Sequence, residues 1–288
     1  MLSSLYKNTN MTNTISITML MILLCLGNIC VSSNAQVSKD IFVLAGQSNM
    51  AGRGGVINNR WDGFVPPECR PNPDIFRLNA QNSWVAAHEP LHEDIDVGKT
   101  CGVGPGLAFA NSLQLLSRSK FHAVGLVPCA VGGTKISQWA RGTPLYSQLV
   151  TRAKAAVQSG GTIRAVLWYQ GESDTNKIED AKAYKDNMEK FISHLRLDLG
   201  VPSLLIIQVA LASGEGKHVE MVREAQLGIK LPKVKSVDAK GLRVGSDHLH
   251  LTTMSQVHLG LLLARSFLNN IPKHHDPLIS TTSNSSLV

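Results

Sequence analysis

Several absences narrow the reading of this 288-residue chain before any motif is considered. Its 28 Lys and Arg outnumber its 21 Asp and Glu, for a formal net charge of +7, yet no run of five basic residues occurs. Charge this dispersed excludes a nucleic-acid-binding stripe and leaves a mild preference for acidic surroundings. No Cys-x-x-Cys occurs, and Cys69, Cys101 and Cys129 do not show zinc-site spacing, which argues against a structural zinc centre. There is no internal repeat, and the Ser/Thr-rich stretch 280–286 is the one low-complexity block. The most apolar run, residues 15–31, falls short of the ~20 residues that cross a bilayer and contains Gly27 and Asn28.

That run, ISITMLMILLCLGNICV, follows Lys7 and polar residues and precedes Ser33-Asn34-Ala35, which is small at its first and third positions. It reads as a signal peptide over residues 1–35 cleaved after Ala35, with an uncleaved membrane anchor as the alternative. Cleavage removes Lys7 and no acidic residue, and takes Cys25 and Cys30 with it. The expectation is a secreted protein, extracellular or of the cell wall, with no membrane attachment once the leader is gone. It would comprise one domain over 36–272, with a long loop insertion at 54–103, and a polar tail over 273–288 carrying the sequon Asn284-Ser285-Ser286. Three cysteines remain in an oxidising compartment. Cys69 and Cys101 share a loop-rich stretch and are expected to be bridged, while Cys129, ending an apolar run, reads as a buried free thiol.

What is present is a regular alternation. Apolar, β-branched runs at 40–45, 122–127, 163–169 and 203–210, with a weaker one at 234–238, predict five buried strands. Stretches with helical spacing at 105–118, 145–158, 178–198, 218–229 and 252–268 separate or follow them, the last capped by Thr252 or Thr253. Strand alternating with helix implies an α/β fold with a mostly parallel five-stranded sheet covered on both faces. Ligands bind such sheets beyond the carboxyl ends of the strands. The polar motifs sit there: GQSNM after the first strand, PCAVGGTKISQWARG after the second, QGESD after the third and DHLH soon after the fifth.

Ser48 follows the first strand on a turn that Gly46 permits, where its hydroxyl and its own N–H can point the same way. It suits a nucleophile, or a plain helix cap. Asp247 and His250 stand three apart on one side of the chain, so the carboxylate can hold the imidazole tautomer while the other ring nitrogen faces a serine. The alternative is a capping Asp with surface histidines; His248, adjacent to Asp247, would point elsewhere. Gly132-Gly133 can bring a backbone N–H to a developing oxyanion, and the Gln170 amide can donate to one, although either could serve a turn or a loop. Glu172 and Asp174 raise a rival, carboxylate-dependent glycosidase. Both lie in one short loop, poorly placed to flank a glycosidic bond. Gly102-Val-Gly104-Pro-Gly106 lacks the Gly-Lys-Ser/Thr ending of a phosphate loop and reads as the turn into the helix at 105.

Together, Gly46-Gln-Ser48-Asn-Met, Gly132-Gly133-Thr, Trp168-Tyr-Gln170-Gly-Glu-Ser and Asp247-x-x-His250 resemble the SGNH (GDSL-like) hydrolases. More narrowly the chain resembles the sialate O-acetylesterase-type domain of carbohydrate esterase family 6 in its plant form, over roughly residues 38–270. The resemblance implies a flavodoxin-like, three-layer α/β/α sandwich. It also implies a serine esterase without metal or cofactor that removes acetyl groups from carbohydrates. By position, Ser48 would be nucleophile, His250 base and Asp247 its partner, with the N–H groups of Ser48 and Gly133 and the Gln170 side chain as oxyanion donors. Gln170 stands where most SGNH enzymes carry asparagine. Trp139 and Arg141 are candidates to line the sugar site. A competing class is a secreted carbohydrate-binding protein without turnover.

Overall fold

The computed structural model describes residues 38–117 and 120–271. The leader expected over 1–35 and the tail 273–288 with its sequon lie outside them. The chain opens with β1 (Lys39–Gly46), KDIFVLAG, whose residues from Ile41 onward are all buried. A strand apolar on both faces belongs at the centre of a parallel sheet, and β1 pairs in parallel with β6 (Val124–Pro128) on one side and β7 (Gly161–Tyr169) on the other. β8 (Leu205–Ala210) and β9 (Val234–Asp238) continue the sheet beyond β7, again in parallel. These are the five expected strands.

Among the described residues the sheet has seven strands, not five. β4 (Ile75–Leu78) joins β6 in parallel, and β5 (Trp84–Ala86) pairs antiparallel with β4 at the edge, giving the order β5-β4-β6-β1-β7-β8-β9. Both extra strands come from the 54–103 segment, expected to be loop. That segment also holds a two-stranded ribbon, β2 (Val56–Ile57) and β3 (Arg60–Trp61). Strands of three and four residues between prolines are too short to show a period. They form because the edge of β6 offers unpaired backbone groups, and because Arg152 fastens the segment by donating to the carbonyls of Leu78 (2.7 Å), Asn79 (2.9 Å) and Pro128 (3.0 Å).

Helices cover both faces. The short α1 (Ser48–Ala51) follows β1; α2 (Pro105–Ser117), α3 (Pro144–Gln158), α4 (Ile178–Leu199), α5 (Val219–Leu227) and α6 (Thr253–Asn270) come within three residues of the expected bounds. Thr252 caps α6, its side chain accepting from the Ser255 N–H. On one face Phe42 meets Phe109 of α2 and Phe267 of α6 edge-on, each at 4.9 Å between centroids. On the other, Trp168 packs against Phe191 of α4 at 4.6 Å. Side chains alternate along each strand, and Phe42 and Ala45, the register partner of Trp168, therefore point to opposite faces. Among the described residues no helix is long and apolar enough to cross a membrane.

The expected Cys69–Cys101 bridge does not form. Cys69, Cys101 and Cys129 are all free and buried. Burial pushes the thiols of Cys101 and Cys129 up to about 11, so they stay protonated near neutrality.

Candidate active site

The parallel strands end at one edge, and the site is built from the turns and loops beyond their carboxyl ends. β1 closes on Gly46, whose φ of +128° and whose distance from Tyr169 admit no side chain: a Cβ there would stand 2.1 Å from the Tyr169 carbonyl oxygen. The chain turns into α1 immediately afterwards, with Ser48 as its first residue, 5% exposed. A first helical residue has no intrahelical acceptor for its N–H, and that of Ser48 has no acceptor among the described residues, so a backbone donor accompanies its hydroxyl.

The segment after β9 brings the second group. The Asp247 Oδ1 accepts the N–H groups of Leu249 and His250, both at 3.0 Å, a side-chain turn that curls the segment back on itself. An antiparallel bridge from Val244 to Leu251 closes that loop. Asp247 Oδ2 lies 2.6 Å from His250 Nδ1, and His250 Nε2 lies 2.9 Å from Ser48 Oγ. Burial acts to raise the Asp247 carboxyl, but the backbone donors and the imidazole outweigh it and hold it below the usual carboxylate range. An ionised Asp247 accepts a hydrogen bond from Nδ1–H, which fixes the proton on that nitrogen and leaves Nε2 with a lone pair aimed at the serine hydroxyl. His248 adopts the left-handed conformation at φ +56° and faces solvent.

Ser48 and His250 open on a cavity of about 350 Å³, near the lower end of the ~300–1,000 Å³ of small-ligand clefts. Gly132 and Gly133 form one wall; Val56, Asn58, Asn59, Lys99 and Thr100 of the long segment another; Glu215, after β8, a third. Gly133, at φ +73°, has its N–H unengaged by any described residue. Gly132 N–H instead donates to Asp96 Oδ2 at 3.1 Å, and the same carboxylate oxygen takes a very short ion pair from Arg53, both partners buried. Asp96 thus anchors the Gly132-Gly133 turn beside Ser48.

Three expectations, those for Gln170, Trp139 and Arg141, change in three dimensions. The Gln170 side chain is fully buried, and its amide nitrogen already faces Thr134 O (2.7 Å), Asp174 Oδ2 (2.6 Å) and Gln47 Oε1 (3.2 Å), leaving no hydrogen for an oxyanion. Trp139 lies in the core, edge-on to Trp168 at 5.3 Å with its Nε1 donating to Thr134. Arg141 forms a two-pronged pair with Asp198. Neither lines the cavity. Glu172 and Asp174 are buried away from it as well, raised by desolvation to about 7 and about 6, so no carboxylate pair flanks a bond in the cavity from that loop. Asp96 and Glu215 passed unnoticed in the sequence, since no local motif surrounds either.

Comparison with known proteins places this architecture. The family described as carbohydrate esterase, sialic acid-specific acetylesterase, matches residues 38–269. A probable carbohydrate esterase of Arabidopsis thaliana is 58% identical over 236 residues, covering 80% of this chain and 90% of that protein. The X-ray structure of an Arabidopsis thaliana protein superposes with a TM-score of 0.78 at 56% identity, covering 82% of this chain and all of the other. The crystal structure of NanS shares the fold, with a TM-score of 0.66 at 17% identity over 81% of this chain and 97% of its own. With nearly the whole described chain matched, the protein belongs to the sialic acid-specific acetylesterase family of carbohydrate esterases.

Proposed function

We propose that the protein is a serine esterase that removes O-acetyl groups from carbohydrates through an acetyl-enzyme. One observation carries the reading: Ser48 Oγ, His250 Nε2, His250 Nδ1 and Asp247 Oδ2 form a continuous hydrogen-bonded series in the wall of the cavity. Ser48 Oγ attacks the acetyl carbonyl carbon while its proton passes to His250 Nε2. The negative charge on the carbonyl oxygen is met by the N–H groups of Ser48 and Gly133. The ester C–O bond then breaks, and the sugar oxygen leaves with the proton from His250. Water attacks the acetyl-enzyme with His250 again as base, acetate departs and Ser48 is regenerated. Asp247 stays ionised and stabilises the imidazolium. A lining of asparagine, threonine, lysine and glutamate suits a sugar rich in hydroxyls. The leader expected over residues 1–35 would deliver this activity outside the cell.

Ser48→Ala should lower kcat on an aryl acetate by at least about 10⁴-fold with circular dichroism unchanged. A fluorophosphonate probe should label the natural protein and not the variant. Full activity in Ser48→Ala would sink the assignment. A protein that binds acetylated sugar without releasing acetate would favour a lectin-like role. A panel of acetylated xylan, acetylated pectin and small acetylated glycosides, assayed for acetate, sorts the substrate.

A further inference from the structure

The side chain next to the proposed nucleophile reaches across to the segment that carries the proposed base. Asn49 is wholly buried. Its Oδ1 accepts the Leu251 N–H at 2.9 Å, while its Nδ2 faces the Leu249 carbonyl at 3.3 Å and Glu172 Oε1 at 2.8 Å. Leu249 and Leu251 flank His250, so a single amide grips the peptide groups on both sides of the imidazole-bearing residue. Asn49 is held in turn by Gln256, whose Nε2 donates to its carbonyl at 3.1 Å. The Asp247 contact cannot supply this hold. It lies within the same turn as His250 and orients the ring without tying that turn to α1.

Glu172 supplies the orientation. It is fully buried, absent from the cavity wall, and its second carboxyl oxygen has no partner among the described residues. The oxygen facing Asn49 accepts a hydrogen bond whether the carboxyl is charged or neutral. It therefore selects the rotamer in which Nδ2 points toward Glu172 and the Leu249 carbonyl, and Oδ1 toward the Leu251 N–H. A reversed amide would set oxygen against oxygen at two contacts and a nitrogen against the Leu251 N–H.

We propose that Asn49 and Glu172 are a positioning pair: the Glu172 carboxyl orients the Asn49 amide, and the amide holds residues 249–251 so that His250 Nε2 stays within reach of Ser48 Oγ. The inference rests on the reading of Ser48 and His250 given above.

Neither residue touches the cavity, so the loss should fall on turnover and not on binding. On an aryl acetate, Asn49→Ala should lower kcat roughly 10- to 100-fold, as misplacement on the scale of 1 Å does, with KM changed less than about twofold. Glu172→Gln keeps an acceptor for Asn49 and should stay within about threefold of the natural protein, while Glu172→Ala should fall in step with Asn49→Ala. Because the pair acts through His250, adding Asn49→Ala to His250→Ala should reduce the residual rate less than about twofold further. If Asn49→Ala does not fold, Asn49→Asp, which keeps the bond to Leu251 and can donate at most one shared proton where the amide donates two, takes its place in the same measurements. The proposal is overturned by an unchanged kcat in the Asn49 variant, by a Glu172→Gln loss equal to that of Glu172→Ala, or by an undiminished Asn49 effect in the His250→Ala background. Each of these outcomes leaves Ser48→Ala inactive and the esterase reading standing. Activity persisting in Ser48→Ala would bring down that reading instead.

Discussion

At the scale of single residues, the site depends on backbone conformations and partners that only certain side chains allow. Asp247 does two things at once: one carboxylate oxygen shapes the turn through the Leu249 and His250 N–H groups, and the other orients the ring. Asp247→Asn should therefore cost up to about 10⁴-fold in kcat, because an amide no longer enforces the tautomer, while the melting temperature moves little for so exposed a side chain. His250→Ala should be nearly as severe as Ser48→Ala. His248→Ala should leave kcat close to that of the natural protein, since His248 faces solvent and is absent from the cavity wall. The reverse order of the two histidine variants in a steady-state assay would move the base to His248. Ser48, Asp247 and His250 were legible because each carries a local signature: a glycine turn after a strand, or an acid three residues before a histidine. Gln170 was equally prominent and yet is committed elsewhere, because an amide's availability depends on what surrounds it.

At the scale of elements, the 54–103 segment changes most between sequence and structure. Its ends are clipped together by paired hydrogen bonds between Gly54 and Val103, at 2.9 and 3.0 Å. Arg53, at its entrance, pairs with Asp96 near its exit, and Asp96 also holds Gly132 after β6. The segment thus adds two strands to the sheet, lines the cavity and braces the turn that carries Gly133. Asp96→Ala should destabilise the fold by about 3–5 kcal/mol, since it leaves the Arg53 charge buried without a counter-ion, measured as a drop in the urea midpoint with the m-value unchanged. The same variant should lower kcat where the fold persists, because the Gly132 N–H loses its acceptor. Unaltered stability would show that Arg53 is solvated or re-paired in the variant. Proline and glycine punctuation hid these short elements, whereas the five helices of nine or more residues carried enough period to be bounded closely.

At the scale of the whole molecule, buried neutral groups set how stability varies with pH. Burial lowers His92 to about 3, so the unfolded chain binds its proton more readily between about 3 and 6.5, and that contribution to stability grows with pH and is complete above 6.5. Burial raises Glu89 to about 8 and Glu172 to about 7. Each binds a proton in the folded state that the unfolded chain has released. Their contributions are full below the ordinary carboxyl range and are lost as pH rises toward 7 and 8. Between pH 6.5 and 8 the losses stand without the compensating gain from His92, and the unfolding free energy should fall by up to about 1.4 kcal/mol per pH unit for each group. Urea titrations at pH 6.5 and 8 test this, and Glu89→Gln should flatten the slope; an unchanged slope in that variant would remove Glu89 as its source.

The sequence by itself determined the alternation of strand and helix and placed its polar motifs at one sheet edge, because apolar periodicity and turn chemistry are local properties. It also singled out Ser48, Asp247 and His250, although their approach to within hydrogen-bond distance is a product of the folded chain. Only the tertiary structure decided that Gln170 and Glu172 serve buried networks, that Trp139 packs in the core, and that Asn49 grips the histidine turn some 200 residues away. The reason is physical. A polar side chain's role is set by which donors and acceptors surround it after burial, and in this fold those neighbours arrive from distant strands.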